Sequence, residues 1–274
     1  MGCQLPIGVF DSGVGGLTVA KEIMSQLPGE RILYYGDTAR VPYGSKSKET
    51  VTEYSRQIIR FLMSQGVKVI VVACNTASAL AVDTLRSEFD VPILDVVEPG
   101  ARAAAAATKN GRIGILGTEG TIRSGMYNKC LYDINPDLGV YSRACPLFVP
   151  LVEEGWIYDN ITREVIKRYL SDLQGKEIDS LVLGCTHYPL LRNLIDDVAK
   201  EVIGSNVTLV NPAVETAKEL KTLLAERDML SDHTHVPEHT FYVSDGAEKF
   251  RSFANSILSC TVIETKDVAV KTFE

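Results

Sequence analysis

Two cysteines in matching surroundings are the residues of this sequence best suited to chemistry. Cys74 follows the apolar run Val-Ile-Val-Val, and Cys185 follows the run Ser-Leu-Val-Leu-Gly. Each run predicts a buried parallel strand, and ligands of open α/β sheets bind at the carboxyl ends of the strands. A single buried thiol is usually inert, but two at repeated strand ends favour catalysis. Polar residues follow each thiol, namely Asn75, Thr76, Thr186 and His187.

Each thiol needs a partner, because a cysteine acts as a base only as the thiolate and is mostly protonated at neutral pH. His187 stands two residues after Cys185 and has an ordinary pKa that suits proton exchange near pH 7. Asp11, at the end of a neighbouring predicted strand, is the candidate partner of Cys74. By themselves, Asp11 would be a turn residue before glycines and Glu153 the acidic start of a helix.

The chain alternates strands and helices, which predicts an α/β fold with mostly parallel sheets. One of the predicted helices runs from Ala77 to Phe89. At Arg112 the pattern restarts, since Ile-Gly-Ile-Leu-Gly-Thr at 113–118 matches Ile-Gly-Val-Phe-Asp-Ser at 7–12. The repeat begins 67 positions before the first thiol (74 − 7) and 72 before the second (185 − 113).

This repeat predicts two pseudo-symmetric domains, each a mostly parallel sheet flanked by helices, with the active site in the cleft between them. The first domain is assigned to residues 1–98 plus 211–274, and the second to residues 99–210. The C-terminal part is returned to the first domain because that sheet otherwise has few strands.

Composition excludes several classes of partner. The net charge is −7 and no run rich in Lys or Arg occurs, which argues against nucleic acid and anionic membranes. No apolar run is long enough to span a bilayer and no signal pattern is seen, so a cytoplasmic location is expected. The six cysteines are widely spaced without a Cys-x-x-Cys motif, which predicts reduced thiols rather than a zinc cage or disulfides.

Two weaker motifs do not support a cofactor or a metal. The glycine turn at residues 11–17 resembles a dinucleotide fingerprint, but Thr18 stands where its third small residue belongs. Such a turn can still hold an anion with its amides. The histidines at 233, 235 and 239 lie in a polar segment without nearby cysteines or paired acids, which favours a solvated loop over a metal site.

Five motifs follow one another along the chain: Asp-Ser-Gly-Val-Gly-Gly-Leu-Thr at 11–18, Tyr-Gly-Asp-Thr at 35–38, Pro-Tyr-Gly at 42–44, Ala-Cys-Asn-Thr-Ala-Ser at 73–78 and Gly-Cys-Thr-His-Tyr-Pro at 184–189. Together they resemble the bacterial glutamate racemases of the aspartate/glutamate racemase family. The resemblance implies a cofactor-independent interconversion of L- and D-glutamate that supplies peptidoglycan synthesis. It also implies a homodimer.

The resemblance further implies roles for individual residues. Cys74 would remove the Cα proton of D-glutamate with support from Asp11, and Cys185 that of L-glutamate. His187 and Glu153 would support Cys185, and Asp37 is carried over more weakly as a helper on the Cys74 side. The implied substrate contacts are Asp11, Ser12, Tyr43, Gly44, Asn75, Thr76, Thr118, Thr121, Thr186 and His187.

Two alternatives stay open on the sequence. The first is a racemase of aspartate or another amino acid, although the motifs are closer to the glutamate branch. The second is a non-catalytic protein that binds a small acid, which would have no use for two thiols.

Overall fold

A computed structural model describes residues 4–232, 237–258, 262, 264–269 and 273. The chain divides into two compact units, Met1–Val96 with Ala213–Glu274, and Val97–Pro212. We call them unit 1 and unit 2. Each contains one sheet of parallel strands flanked by helices, so the predicted α/β class is confirmed.

Unit 1 begins with alternating strands and helices. These are β1 (Ile7–Asp11), α1 (Leu17–Gln26), β2 (Ile32–Gly36), α2 (Lys48–Ser64), β3 (Val69–Val72), α3 (Asn75–Glu88) and β4 (Ile93–Asp95). Short 3₁₀ turns at Thr38–Arg40 and Tyr43–Ser45 connect β2 to α2.

Unit 2 repeats the alternation, with two helices between some of its successive strands. Its elements are α4 (Val97–Ala107), β5 (Arg112–Gly117), α5 (Glu119–Ser124), α6 (Met126–Ile134), β6 (Gly139–Ala144), α7 (Phe148–Glu153), α8 (Asn160–Ser171), β7 (Ser180–Gly184), α9 (Arg192–Val202) and β8 (Thr208–Val210). A 3₁₀ turn, Tyr188–Leu191, precedes α9 and contains Pro189. The sheet order is β6-β5-β7-β8, with every neighbouring pair parallel.

The chain then returns to unit 1 and extends its sheet. The returning elements are α10 (Pro212–Glu226), β9 (Thr240–Val243), α11 (Ala247–Ile257) and β10 (Thr265–Asp267). The first sheet has the order β10-β9-β2-β1-β3-β4, again with parallel pairs. Its central strand β1 is buried along its whole length, which agrees with the apolar sequence that precedes Asp11.

Helix α2 shows how local sequence positions these elements. Ser47 precedes the helix and its side chain accepts a hydrogen bond from the Thr50 amide at 3.2 Å, which satisfies one of the free donors of the first turn. The apolar face of α2 packs in the core together with β1, β3 and α3; this core includes Ile58, Leu62 and Val72. Burial of that face fixes the sheet beneath the helix.

Helix α3 begins earlier than the sequence predicts. The predicted start at Ala77 is wrong, because the helix starts at Asn75 and Cys74 occupies the capping position before it. The sequence signal is weak here, since cysteine is not among the usual capping residues. The consequence is that the first thiol lies directly at a helix N-terminus.

Within the described ranges, every helix is too short or too polar to cross a bilayer.

A buried ion pair joins the returning chain to the first sheet. Lys68 Nζ lies 2.6 Å from Glu30 Oε2, and the two side chains are 1% and 3% exposed. Lys68 also donates to the Met229 carbonyl at 2.7 Å, and the Ser231 amide donates to Glu30 Oε1 at 2.8 Å. Both charges therefore have several partners, as buried charges require.

We predict that Lys68→Met destabilises the protein by about 3 to 5 kcal/mol, because it leaves the Glu30 carboxylate buried without its cation. The measurement is the free energy of unfolding in urea. The control Lys200→Met removes one partner of an exposed pair with Asp196 and is expected to leave the unfolding midpoint unchanged. Equal midpoints for Lys68→Met and the wild type would contradict this role of the buried pair.

Candidate active site

The glycine turn after β1 holds Asp11 at the carboxyl end of the strand. Asp11 is buried, and its Oδ2 accepts a hydrogen bond from the Gly13 amide at 3.0 Å. A Cβ placed on Gly16 would lie 2.4 Å from Asp11 Cβ, so only glycine fits at that position. The turn therefore fixes the carboxyl group by packing as well as by hydrogen bonding.

The first thiol lies next to this turn because β1 and β3 are parallel neighbours. Phe10 is in register with Val72, and the Ala73 amide donates to the Phe10 carbonyl at 2.9 Å. Cys74 is 5% exposed, and its Sγ lies 3.6 Å from Ser12 Oγ.

The start of helix α3 favours the thiolate form of Cys74. The Ala77 amide donates to Cys74 Sγ at 3.5 Å, and the helix N-terminus places positive potential at the sulfur. Asn75 and Thr76 form the first turn of α3 and are buried despite being polar. These neighbours give the first thiol a polar and positive environment.

The segment after β2 carries Tyr43 and Gly44. Asp37 directly follows β2, and its Oδ2 accepts hydrogen bonds from Arg40 Nε at 2.7 Å and from the Tyr43 hydroxyl. Its Oδ1 accepts from Ser244 Oγ at 2.9 Å. Burial, and then the nearby Asp37 carboxylate, raise the pKa of Tyr43 well above its usual value. Tyr43 therefore remains a protonated donor.

The second thiol is paired with an imidazole and a carboxylate. Cys185 follows β7, and its Sγ lies 3.9 Å from His187 Nδ1. His187 Nε2 lies 3.1 Å from Glu153 Oε1, and the imidazole is almost fully buried. Because the thiol and the carboxylate contact opposite ring nitrogens, the imidazole can exchange a proton with sulfur while the carboxylate stabilises its charge.

Glu153 does not begin a helix. Its interpretation as a helix-start acid is wrong, because Glu153 is the last residue of α7. A negative charge at the C-terminal end of a helix opposes the helix dipole. The position of this acid is therefore explained by its contact with His187 and not by helix stability.

Hydroxyl groups surround the strand ends on the Cys185 side. Thr118 follows β5 and caps α5, and its Oγ1 accepts from the Thr121 amide at 3.2 Å. The two threonine hydroxyls lie 3.0 Å apart. In the sheet, Gly117 pairs with Gly184, so Thr118 and the thiol leave neighbouring strands at the same edge.

Two buried tyrosines near the thiols were not singled out by the sequence. The Tyr34 hydroxyl donates to the Gly13 carbonyl at 2.9 Å, and the Tyr188 hydroxyl donates to the Cys145 carbonyl at 2.9 Å. Burial is the main cause that raises the pKa of both phenols well above the usual value, so both remain donors. Tyr34 belongs to an apolar strand, where a functional tyrosine has no distinguishing pattern, and Tyr188 lies in the Gly-Cys-Thr-His-Tyr-Pro motif but was given no role from it.

The other described cysteines do not share these surroundings. Cys74, Cys130, Cys145 and Cys185 are free thiols, while Cys3 and Cys260 lie outside the described residues. Burial raises the pKa of the Cys145 thiol, which donates to the Arg143 carbonyl at 3.7 Å. Cys145 therefore stays neutral and suits the inert role.

The histidine-rich segment is described only in part. His233 and His235 lie outside the described residues. His239 Nδ1 accepts a hydrogen bond from the Ile32 amide at 3.2 Å, and burial lowers the pKa of this imidazole. A neutral His239 thus provides the acceptor for the backbone amide of Ile32, the first residue of β2.

The sequence-predicted residues form one group in each unit. In unit 1 the group at the ends of β1, β2 and β3 contains Asp11, Ser12, Asp37, Tyr43, Gly44, Cys74, Asn75 and Thr76. In unit 2 the group contains Thr118, Thr121, Glu153, Cys185, Thr186 and His187. Both groups have a thiol with polar partners.

Comparisons with known proteins give a consistent assignment. The Asp/Glu/hydantoin racemase family matches residues 7–220. A glutamate racemase from Geobacter metallireducens is 51% identical over 252 residues, which cover 92% of this chain and 92% of that protein. The structure of a glutamate racemase isoform from Bacillus anthracis is similar with a TM-score of 0.91 and 42% identity, covering 96% of this chain and 97% of that one.

A glutamate racemase from Francisella tularensis, solved in complex with D-glutamate, has a TM-score of 0.90 and 39% identity, covering 98% of this chain and 99% of that one. The chain therefore belongs to the Asp/Glu/hydantoin racemase family, and its resemblance to the bacterial glutamate racemases is confirmed.

Proposed function

We propose that this chain interconverts L- and D-glutamate with two thiols, one of which removes the Cα proton while the other donates its own proton to Cα, and that it supplies D-glutamate for peptidoglycan synthesis. The observation that carries the proposal is the presence of two strand-end thiols, each with its own activating partners. The glutamate racemases at 39% to 51% identity over nearly the whole chain support the substrate.

On the first side, Cys74 removes the Cα proton of D-glutamate. The Ala77 amide and the start of α3 stabilise the thiolate that this step requires. Asp11 acts at the neighbouring strand end, where its carboxyl group is held by the glycine turn. The same thiol delivers a proton when L-glutamate is the substrate.

On the second side, Cys185 removes the Cα proton of L-glutamate. His187 accepts the thiol proton and Glu153 stabilises the resulting imidazolium. When D-glutamate reacts, the Cys185 thiol donates its own proton to Cα. The reaction therefore needs one thiolate and one thiol at a time.

Substrate binding is assigned mainly to hydroxyl groups and amides. Hydroxyls and amides can hold two carboxylates and an ammonium without a metal or pyridoxal phosphate, so no cofactor is part of this proposal. The proposed contacts are Asp11, Ser12, Tyr43, Gly44, Asn75, Thr76, Thr118, Thr121, Thr186 and His187.

We further propose that the chain works in the cytoplasm as a homodimer with domains at 1–98 plus 211–274 and at 99–210. The location is supported by the need to keep two catalytic thiols reduced. The dimer is supported by the resemblance to the glutamate racemases.

We predict that L-glutamate incubated with the protein in D₂O gives D-glutamate that carries deuterium at Cα from the earliest times. The reason is that one sulfur removes the proton while the other delivers a solvent-derived deuteron. The remaining L-glutamate should still be protiated, and mass spectrometry with chiral separation measures both. Early product that retains protium would mean that one base serves both faces, and the absence of both exchange and inversion would favour a non-catalytic binder.

We predict that Cys74→Ser and Cys185→Ser each lower racemisation by at least about 10²-fold, since a hydroxyl holds its proton far more tightly than a thiol. Each variant should keep exchange with solvent for one enantiomer. Cys74→Ser should exchange the Cα hydrogen of L-glutamate, and Cys185→Ser that of D-glutamate.

The matched control is Cys130→Ser, which removes a partly exposed thiol of α6 and should keep wild-type rates. Near wild-type racemisation by Cys74→Ser or Cys185→Ser would show that the substituted cysteine is not a catalytic base. Exchange of the opposite enantiomer would reverse the assignment of the two thiols.

A further inference from the structure

The carboxylate of Asp37 accepts hydrogen bonds from three residues of unit 1. Arg40 Nε and the Tyr43 hydroxyl donate to Oδ2, and Ser244 Oγ donates to Oδ1 at 2.9 Å. The side chain is completely buried. Within the described part of the chain, the hydrogen bonds of this carboxylate go to these three groups and not to the Cys74 thiol.

Ser244 comes from the returning chain, 207 positions after Asp37. It directly follows β9, whose Val243 is in register with Gly36 of β2. Ser244 Oγ accepts a hydrogen bond from the Ala39 amide at 2.8 Å while it donates to Asp37. One hydroxyl thus fixes both the carboxylate and the backbone of the turn that follows it.

A second pair strengthens the same connection. The Asp245 amide donates to Thr38 Oγ1 at 3.0 Å, and the Thr38 hydroxyl donates to the Asp245 carbonyl. The turn Thr38–Arg40 is therefore held by the two residues that follow β9. In this pair the Thr38 side chain bonds to the backbone of Asp245. The two hydrogen bonds therefore form only when the two segments are aligned as they are here.

Arg40, the last residue of the turn Thr38–Arg40, attaches this turn to helix α2. Its Nη1 donates to Gln57 Oε1 at 2.6 Å, and the guanidinium lies 4.0 Å from the centre of the Tyr54 ring. The Tyr54 and Tyr43 rings also pack together, with centroids 5.7 Å apart. Tyr43 thus has its hydroxyl fixed by Asp37 and its ring fixed against α2.

We propose that Asp37 and Ser244 are positioning residues, which hold the segment Thr38–Ser45 so that Tyr43 and Gly44 bind the substrate, and that Asp37 takes no part in proton transfer at Cys74. The inference rests on the proposed function for the substrate. It differs from the role of Asp37 that the resemblance implied. Its new element is the dependence of substrate binding on Ser244, a residue outside every motif.

The test compares Ser244→Ala with Ser256→Ala, which removes an exposed hydroxyl bonded only within α11. Ser244→Ala should raise KM for both enantiomers by roughly three- to tenfold, as expected for one lost hydrogen bond, with kcat nearly unchanged. Ser244→Thr keeps the hydroxyl and should restore KM. Ser256→Ala should match the wild type.

Hydrogen exchange gives a readout that does not depend on activity. In Ser244→Ala, amide exchange measured by mass spectrometry should become faster in the peptide spanning 38–46, because the Ala39 amide loses its acceptor. This result decides the structural part of the inference even if the wild type fails to racemise glutamate, which would instead overturn the proposed function. Unchanged exchange together with unchanged KM would overturn the inference.

An isotope effect separates positioning from help in proton transfer. For Asp37→Asn, the primary isotope effect on kcat with Cα-deuterated substrate should equal that of the wild type for both enantiomers, while KM rises. An isotope effect that grows for D-glutamate alone, with KM unchanged, would show that Asp37 assists Cys74 and would overturn the proposal.

Discussion

The parallel pairing of a central strand with a thiol-bearing strand is the constraint on which each site depends. In unit 1, β1 and β3 end side by side, so the Asp11 turn and Cys74 share one edge of the sheet. In unit 2, β5 and β7 have the same relation, and Thr118 and Cys185 follow a paired Gly117 and Gly184. A Cβ on Gly184 would lie 2.6 Å from the Leu116 carbonyl oxygen, so the close approach of these strand ends needs glycine.

The two thiols have different surroundings for the same proposed role. Cys74 receives an amide hydrogen bond at the start of a 14-residue helix, and the field of that helix favours negative charge on sulfur. Cys185 precedes only a short 3₁₀ turn. Its thiol instead lies beside His187, whose other ring nitrogen contacts Glu153. In the proposed mechanism, a symmetric reaction therefore proceeds through an asymmetric pair of bases. This difference agrees with the proposed division of the two enantiomers between them.

The sequence predicted much of this arrangement, because strand ends in parallel sheets are local features. Cys74 and Cys185 follow apolar runs that are easily identified, and His187 is only two positions from its thiol. Glu153 was placed at the wrong end of a helix, since α7 has six residues and is too short to show a helical period. Helix α5, which carries Thr121, is equally short.

Contacts between distant segments could not be predicted from one sequence. Ser244 reaches Asp37 because β9 pairs with β2, and no local pattern encodes that pairing over 207 positions. Tyr34 is a similar case, because its hydroxyl contacts the glycine turn while its ring belongs to an ordinary apolar strand. Such residues become visible only when the hydrogen bonds of buried polar groups are traced.

The central claim is that turnover needs one thiolate and one thiol in the same enzyme–substrate complex. The most direct measurement is kcat as a function of pH for both enantiomers, because this profile reports groups that ionise in that complex. The account predicts a bell-shaped profile for L-glutamate and for D-glutamate, since acid protonates the base and alkali removes the proton from the acid. A kcat that rises with pH and then stays level in both directions would contradict it.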